Sequence, residues 1–356
     1  MVPKGWELSS IGKISDVSSG GTPSRNNEAY WNGNIPWVTT AEVQFKIIED
    51  TVEKITEEGL ANSSAKLFPA GTILMAMYGQ GKTRGQVAKL GIDASTNQAC
   101  AAIVLHTGYE VDFYYQFLIS QYENIREMAN SGGQQNLSGG IVKSIPVPVP
   151  PLTEQKKIAK ILSTWDNAIS VTEKLLTNSQ QQKKALMQQL LTGKKRLLDE
   201  NGVRFSGEWK RVKLGAIADM NSGGTPKSTV EEYYGGNIPW VSISDMTSNG
   251  KWIATTEKYL TELGLNSSSA RIYPKNSVLY AMYASIGECS IAAVNLTSSQ
   301  AILGIRPKDC LNYEFLYFYL TSLKEKIKLQ GQQGTQSNLN AGMVKEFELG
   351  KVRTSP

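Results

Sequence analysis

A chain of 356 residues is longer than one ordinary domain and fits two. Its 40% hydrophobic and 19% charged residues are typical of a globular protein and exclude a disordered one, while the net charge of +5 favours a polyanionic partner only weakly. No apolar run reaches the roughly 20 residues that cross a bilayer, and the first residues lack the apolar core of a signal peptide.

Few residues suit metal binding or nucleophilic catalysis. The three cysteines, Cys100, Cys289 and Cys310, show no CxxC spacing, and the single histidine, His106, is predicted at the end of a strand. Carboxylates are scattered and form no nominated acid–base pair. The sequence therefore predicts a cytoplasmic, non-catalytic chain without a metal site.

One distinctive peptide occurs twice in the sequence. SGGTPSRNNEAYWNGNIPWV occupies residues 19–38, and SGGTPKSTVEEYYGGNIPWV occupies residues 222–241, an offset of 203 (222 − 19). Further matched segments follow at offsets of 205 or 202: residues 63–78 with 268–283, 96–99 with 298–301, and 134–143 with 336–345. The sequence thus predicts two copies of one domain of about 145 residues rather than a solenoid of short repeats.

Each copy is rich in predicted strands, followed by a helix. Runs such as GTILMAMY and ACAAIVL have the β-branched and apolar composition of buried strands. Helices are predicted over residues 111–129 and 311–329, and in the first of them Phe113, Phe117, Ile125 and Met128 are expected to join the core. The predicted class is α+β.

The shared GGTP turns allow two interpretations. Glycine amides exposed beside a threonine hydroxyl suit a phosphate oxygen, but the same residues also form plain structural turns. The tryptophans Trp37 and Trp240 are expected to be core. Amide side chains near the end of each copy either read adenine or cap turns. The candidate DNA contacts in these shared segments are Gly20, Gly21, Thr22, Gln134, Gln135, Asn136, Gly223, Gly224, Thr225, Gln336 and Asn338.

The segments after the shared AMY differ between the copies. Donors and acceptors are exchanged at matched positions, as expected if each copy reads a different sequence of a polymer. GQGKTRG at residues 79–85 resembles a phosphate-binding loop, but Ala76 stands where the first glycine is required. The candidate readers are Tyr78, Gln80, Lys82, Thr83 and Arg84 in copy one, and Lys227, Tyr283 and Ser285 in copy two.

A long helix is predicted between the copies. The stiff entry IPVPVPP precedes Thr153 as a candidate N-cap, and Gly193 follows as a stop, so that about 40 residues would span some 60 Å. An apolar stripe this broad needs a partner helix. The predicted packing residues are Ile158, Ile161, Leu162, Trp165, Ile169, Leu175, Leu176 and Leu186.

Together these motifs resemble one family. The tandem SGGTPS, GNIPWV, AMY, NQA and QNLS segments, with IPVPVPPLTEQKKIAKIL leading into the long helix, are similar to the specificity subunit of type I restriction–modification systems. The resemblance covers the chain from about Trp6 to Lys345.

The resemblance implies that each copy is a target-recognition domain for one half of a split, asymmetric site in double-stranded DNA. The expected boundaries are residues 1–149 and 198–349 for these domains and 150–197 for a spacer helix that docks methyltransferase subunits. S-adenosylmethionine, ATP and Mg are then expected in the methyltransferase and restriction–translocase subunits, and no cofactor in this chain.

One departure from the family pattern concerns residues 350–356, which are expected to be a tail where the family has a second long helix. The central helix is then expected to pack against another chain, either a second copy or a methyltransferase subunit. Two other functions stay open at this level: a tandem protein- or glycan-binding module, whose binding would lack the steep salt dependence of DNA binding, and a nucleotide hydrolase using Lys82 and Thr83.

Overall fold

The chain folds as two units in a computed structural model, unit 1 (residues 1–174) and unit 2 (residues 175–356). The structure describes residues 2–79, 82–130, 136–333 and 339–352. Both units repeat the same order of strands, which confirms the predicted α+β class and the duplication.

Unit 1 is organised by its β-strands. Those in its described residues are β1 (Glu7–Ser10), β2 (Ser15–Ser19), β3 (Trp31–Val38), β4 (Ile47–Ile48), β5 (Glu53–Ile55), β6 (Ile73–Ala76), β7 (Val87–Leu90), β8 (Ser95–Thr96), β9 (Cys100–Leu105) and β10 (Pro146–Val149). They form a five-stranded sheet of order β2-β9-β6-β7-β4, a three-stranded sheet of order β5-β3-β8 and the antiparallel pair β1-β10.

The helices of unit 1 are short, and all but one of those described pack on the core at one face of the larger sheet. In the described residues they are α1 (Ile11–Ile14), α2 (Glu57–Ala61), α3 (Val111–Ser120), α4 (Tyr122–Asn130) and α5 (Gly139–Ser144). The prediction of one helix over residues 111–129 is wrong, because the helix breaks at Gln121. Beyond the break, the ring of Tyr122 packs edge-on against Phe45, with the ring centres 5.2 Å apart.

The central helix is continuous. Helix α6 (Leu152–Leu190) has 39 residues, close to the predicted span, and Gly193 follows it with the positive φ of +71° that favours glycine. Its first turns are anchored in unit 1 by Gln155, whose buried amide accepts from the Glu110 amide at 2.9 Å and donates to the Pro150 carbonyl at 2.8 Å.

Unit 2 repeats the strand pattern of unit 1. Its described strands are β11 (Trp209–Lys213), β12 (Ala218–Ser222), β13 (Tyr234–Val241), β14 (Trp252–Ile253), β15 (Lys258–Leu260), β16 (Val278–Ala281), β17 (Cys289–Ala292), β18 (Thr297–Ser298), β19 (Ile302–Pro307) and β20 (Glu348–Val352). The sheets have orders β12-β19-β16-β17-β14, β15-β13-β18 and β11-β20. Because β20 runs to Val352, the predicted tail begins inside a strand.

The helices of unit 2 show where the copies differ in length. In the described residues they are α7 (Leu214–Ile217), α8 (Ile243–Asn249), α9 (Glu262–Asn266), α10 (Tyr313–Gln333) and α11 (Ala341–Lys345). Helix α8 stands where unit 1 has only the 3₁₀ turn Thr40–Glu42. The two additional residues that change the repeat offset from 203 to 205 lie in this part of unit 2.

Each larger sheet lies between two cores, because successive side chains of a strand point to opposite faces. In β6, Ile73 and Met75 join the core beneath the helices, whereas Leu74 and Ala76 join a second core on the other face. The two faces of β16 divide in the same way. Because both faces of these strands are buried, their sequences are continuous apolar runs. The loops at the edges of each unit are attached to this packed sheet.

The three cysteines should differ sharply in reactivity. Burial raises the pKa of the Cys100 thiol to about 12 and raises that of Cys289 as well, while Cys310 is exposed. Since the thiolate is the nucleophile, we expect a maleimide to label Cys310 alone in the folded protein and all three cysteines in denaturant. Intact mass measured against labelling time tests this. Early labelling of Cys100 in folded protein would contradict the burial of β9.

Candidate functional site

Four separate segments of unit 1 meet at one edge of the domain. The Gly21 amide donates to the Thr96 carbonyl at 2.8 Å, the Met77 amide donates to the Ala99 carbonyl at 2.8 Å, and the Leu137 amide donates to the Met77 carbonyl at 3.0 Å. We call this surface the four-segment edge; its segments are residues 20–22, 77–78, 96–99 and 136–138. Three of the four contain residues that the sequence nominated as candidate DNA contacts, and the segment that follows Ser95 was recognised only as part of the repeat.

Unit 2 builds the same edge with the same bonds. The Gly224 amide donates to the Ser298 carbonyl at 2.9 Å, the Met282 amide to the Ala301 carbonyl at 2.9 Å, and the Leu339 amide to the Met282 carbonyl at 3.0 Å. Its segments are residues 223–225, 282–283, 298–301 and 339–340. The frame of the edge is thus made of main-chain hydrogen bonds and is identical in kind in both units.

The glycines of the turn hold this frame together and are buried. A Cβ added to Gly20 would lie 2.0 Å from the Thr96 carbonyl oxygen, and one added to Gly223 would lie 2.2 Å from that of Ser298. Their amides, with those of Gly21 and Gly224, donate to carbonyls inside each unit. The expectation of exposed amides for a phosphate is therefore wrong, because the close approach of two chain segments consumes these donors.

The threonine that follows each glycine pair uses its hydroxyl in a side-chain hydrogen bond near the surface. The Thr22 hydroxyl donates to the side-chain oxygen of Gln98, and the Thr225 hydroxyl donates to that of Gln300. Both glutamines are exposed. The sequence analysis did not nominate these two glutamines. The presence of a glutamine at the same position of TNQA and SSQA was a signal that could have identified them.

Two tyrosines stand at matched positions of the edge. Tyr78 is 42% exposed and Tyr283 is 39% exposed, each directly after a buried strand and next to the bonds that join the segments. Large aromatic rings held half-exposed on a fixed backbone can pack against a sugar or a base. Asn136 is exposed at the same edge.

The loops after the tyrosines carry the differences between the units. Lys82 is exposed, Thr83 and Arg84 are half-buried, and Tyr122 donates its hydroxyl to the Lys82 carbonyl, which ties this loop to α4. The corresponding loop of unit 2 returns to its sheet three residues sooner, through the exposed Ser285 with φ of +57°. The candidates Gln80, Gln134, Gln135, Gln336 and Asn338 lie outside the described residues.

A second divergent segment lies beside the turn. Lys227 is exposed in unit 2, where its carbonyl accepts from the Val230 amide at 3.2 Å. In unit 1 the sequence nominated no residue here, yet Arg25 lies over the ring of Trp31 at 3.8 Å and pairs with Glu53. The hydrogen bond from Arg25 holds the pKa of the Glu53 carboxyl below its ordinary value. Trp37 and Trp240 are buried, as predicted.

The apolar stripe of α6 becomes exposed soon after the helix begins. Ile158 packs against the core of unit 1, but from Ile161 onward the predicted packing residues are exposed, with Trp165 at 66% and Ile169 at 56%. The others of this exposed stripe are Ile161, Leu162, Leu175, Leu176 and Leu186. A run of large apolar side chains on one exposed helix face is typical of a surface that binds another protein segment.

Metal sites and membrane spans are both absent from the described part of the chain. Residues 2–79, 82–130, 136–333 and 339–352 hold no group of His, Cys, Asp or Glu side chains arranged as metal ligands. Within the same ranges, no helix has the length and apolarity that spanning a membrane requires.

The sequence was compared with known families and relatives. It matches the family described as type I restriction modification DNA specificity domain over residues 3–178 and again over residues 206–350. It is 26% identical over 298 residues to the type I restriction enzyme MjaIX specificity subunit of Methanocaldococcus jannaschii, covering 78% of this chain and 66% of that protein. It is 30% identical over 176 residues to the EcoR124I/EcoR124II specificity subunit of Escherichia coli, covering 48% of this chain and 43% of that protein. The chain thus spans just under two thirds of the first relative and less than half of the second.

Solved structures share the fold. The S subunit of a type I restriction–modification system from M. genitalium aligns with a TM-score of 0.61 at 17% identity, over 98% of this chain and 84% of that one. A chain from a study of complex assembly and conformational transition of the type I R-M system aligns with a TM-score of 0.55 at 17% identity, over 99% and 87%. Identity at this level supports the architecture, and the site has to be argued from the residues themselves.

Proposed function

We propose that the protein recognises specific DNA sequences, because the chain belongs to the family of type I restriction modification DNA specificity domains. Each unit would recognise one half of a bipartite, asymmetric site, with recognition domains at residues 1–149 and 198–349 and a spacer at residues 150–197. The chain would select the site, and partner subunits would carry out the chemistry.

The observation that carries the proposal is the four-segment edge, built twice. Its main-chain frame is the same in both units, while the loops beside it differ in length and in side chains. A reader of two different half-sites needs a fixed frame that positions variable donors and acceptors. The glutamine and tyrosine pairs, Gln98 with Tyr78 and Gln300 with Tyr283, supply an amide and an aromatic ring at each edge.

The exposed stripe of α6 supports the second part of the proposal, which concerns partners. We assign this face to a methyltransferase subunit that binds S-adenosylmethionine, with ATP and Mg bound in a restriction–translocase subunit. A helix with a wide apolar stripe gains most from burying it against another helix. Sedimentation of the isolated chain, with and without the methyltransferase subunit, separates this docking from pairing of two copies.

The test is methylation mapping of the host genome by long-read sequencing, with the gene present, deleted and restored. We expect a bipartite motif methylated on adenine to disappear on deletion and to return on restoration. Purified complex should also lose DNA affinity steeply as salt rises, because phosphate contacts release counterions. A methylation pattern that ignores the deletion, together with salt-independent binding, would overturn the proposal.

Matched variants assign the halves of the site to the units. Tyr78→Ala should relax or lose one half of the motif, and Tyr283→Ala should affect only the other half, because each ring lies on its own edge. We expect about a tenfold loss of DNA affinity for either variant, the scale of one stacked base contact. If both variants altered the same half, the assignment of one half-site to each unit would fail.

A further inference from the structure

Unit 1 contains an arginine held between aromatic rings and a carboxylate. The guanidinium carbon of Arg25 lies 3.8 Å from the ring centre of Trp31 and 5.0 Å from that of Trp37. The two indoles stand perpendicular with their centres 5.1 Å apart. Arg25 also forms two hydrogen bonds to the Glu53 carboxylate, one of them at 3.0 Å. Planar cations bind in this way because the ring face is negative and the carboxylate accepts two parallel N–H bonds.

Hydrogen bonds identify the matching positions of unit 2. The Trp37 amide donates to the Thr51 hydroxyl at 3.2 Å, and the Trp240 amide donates in the same way to the Thr256 hydroxyl at 3.2 Å. Each threonine hydroxyl in turn donates at 2.6 Å to the carbonyl of the second residue after it, which is Glu53 in unit 1 and Lys258 in unit 2. Lys258 therefore stands in the place of Glu53.

The other partners of the arginine are also exchanged. Tyr234 opens β13 as Trp31 opens β3, and Ser228 lies two residues after the turn proline, where Arg25 lies in unit 1. With a serine in place of the arginine, unit 2 has a cavity of about 600 Å³ over its tryptophan. Trp240 is correspondingly 8% exposed, against 2% for Trp37.

The lining of this cavity keeps the chemistry that holds Arg25. It has three aromatic rings, those of Tyr234, Trp240 and Tyr259, and two carboxylates, Glu231 and Glu257. Neither carboxylate forms an ion pair with another residue in the described part of the chain. Lys258 is the one cation among the lining residues, so the two carboxylates leave the lining with a net negative charge. Such a cavity repels a phosphate and attracts a planar cation.

We propose that this cavity of unit 2 binds the guanidinium group of an arginine side chain from another protein chain. The ring faces of Trp240 and Tyr234 would stack on the cation, and Glu231 and Glu257 would accept its N–H groups. An arginine fits better than a lysine, because only a planar guanidinium can stack and donate in two directions at once. The proposal does not depend on DNA reading.

The first experiment uses the full chain and ligand-observed NMR, without DNA. We expect Nα-acetyl-L-arginine amide to bind at least about tenfold more tightly than the uncharged Nα-acetyl-L-citrulline amide, from the combined cation–π and charge-assisted bonds. Nα-acetyl-L-lysine amide should fall between them. Equal binding of arginine and citrulline would overturn the proposal, and so would competition by inorganic phosphate. Tighter binding of free L-arginine than of the blocked form would overturn its assignment to a protein side chain.

Variants then locate the site. Ser228→Arg should fill the cavity from within and abolish probe binding, whereas Ser228→Ala should retain it. Glu257→Gln should weaken binding by about fivefold through loss of a charged acceptor. Arg25→Ser in unit 1 should create a second site beside Glu53. Circular dichroism confirms folding of each variant. Unchanged binding in both folded Ser228→Arg and folded Glu257→Gln would place the probe elsewhere and reject the cavity.

Discussion

Replacing Gly20 with alanine is expected to destabilise unit 1 by about 3 kcal/mol, because it both overpacks a buried contact and disturbs a buried hydrogen bond. The added Cβ would lie 2.0 Å from the Thr96 carbonyl oxygen and 2.6 Å from that of Asn97. Both are main-chain atoms, so no side-chain rotation can relieve the overlap. The turn and the segment of residues 96–99 must move apart, and the four-segment edge of unit 1 opens.

The matched control is Gly139→Ala, at the start of α5, where an added Cβ meets no atom within 4 Å. That change should leave stability within about 0.5 kcal/mol of the original. Urea denaturation measures both, and hydrogen exchange at residues 96–105 shows whether the loss is local to unit 1. Gly223→Ala should reproduce the effect in unit 2. A Gly20→Ala protein as stable as the Gly139→Ala protein would show that the contact is not tight in solution.

The second large effect is expected at the exposed stripe of α6. The double change Trp165→Glu with Ile169→Glu should weaken binding of the methyltransferase subunit by about 100-fold or more, since two anchor residues would bring unpaired charges into an apolar interface. The chain itself should stay folded, because both side chains are exposed in it. Titration of the partner subunit against immobilised protein measures the affinity.

The control places the same charges on the opposite face of the same helix. Asn167→Glu with Ser170→Glu adds two carboxylates at exposed positions outside the stripe and should change affinity by less than about threefold. Comparing the two double variants separates the effect of the apolar face from that of net charge. Equal losses in both would mean that the partner is held by electrostatics and not by the stripe.

Much of the fold was predictable, because repetition and apolar patterning are local signals. The duplication, the strands Ile73–Ala76 and Cys100–Leu105, the long helix and the buried Trp37 and Trp240 all follow from residue order and composition. The break at Gln121 was not predicted, and the contact made directly after it, between Tyr122 and Phe45, joins residues that are distant in sequence.

The candidate site was predicted less well, for a related physical reason. The amides of Gly20 and Gly21 looked available in the sequence, but their acceptors lie some 75 to 80 residues further along the chain, at Thr96 and Cys100. Gln98 became a site residue only when the fold brought it to Thr22. Arg25 could not be distinguished from any surface arginine until Trp31 and Glu53 were placed around it.

The main-chain character of the four-segment edge bears on how recognition can change over generations. Its closure uses the amides of Gly21, Met77 and Leu137 and the carbonyls of Thr96, Ala99 and Met77, groups that every non-proline residue possesses. Side chains that project from the edge can therefore be replaced without loosening the closure, and loop length can vary by several residues. Under the proposed function, recombining a single unit would exchange one half of the target site, and the two glycines of the turn would be the residues least free to change.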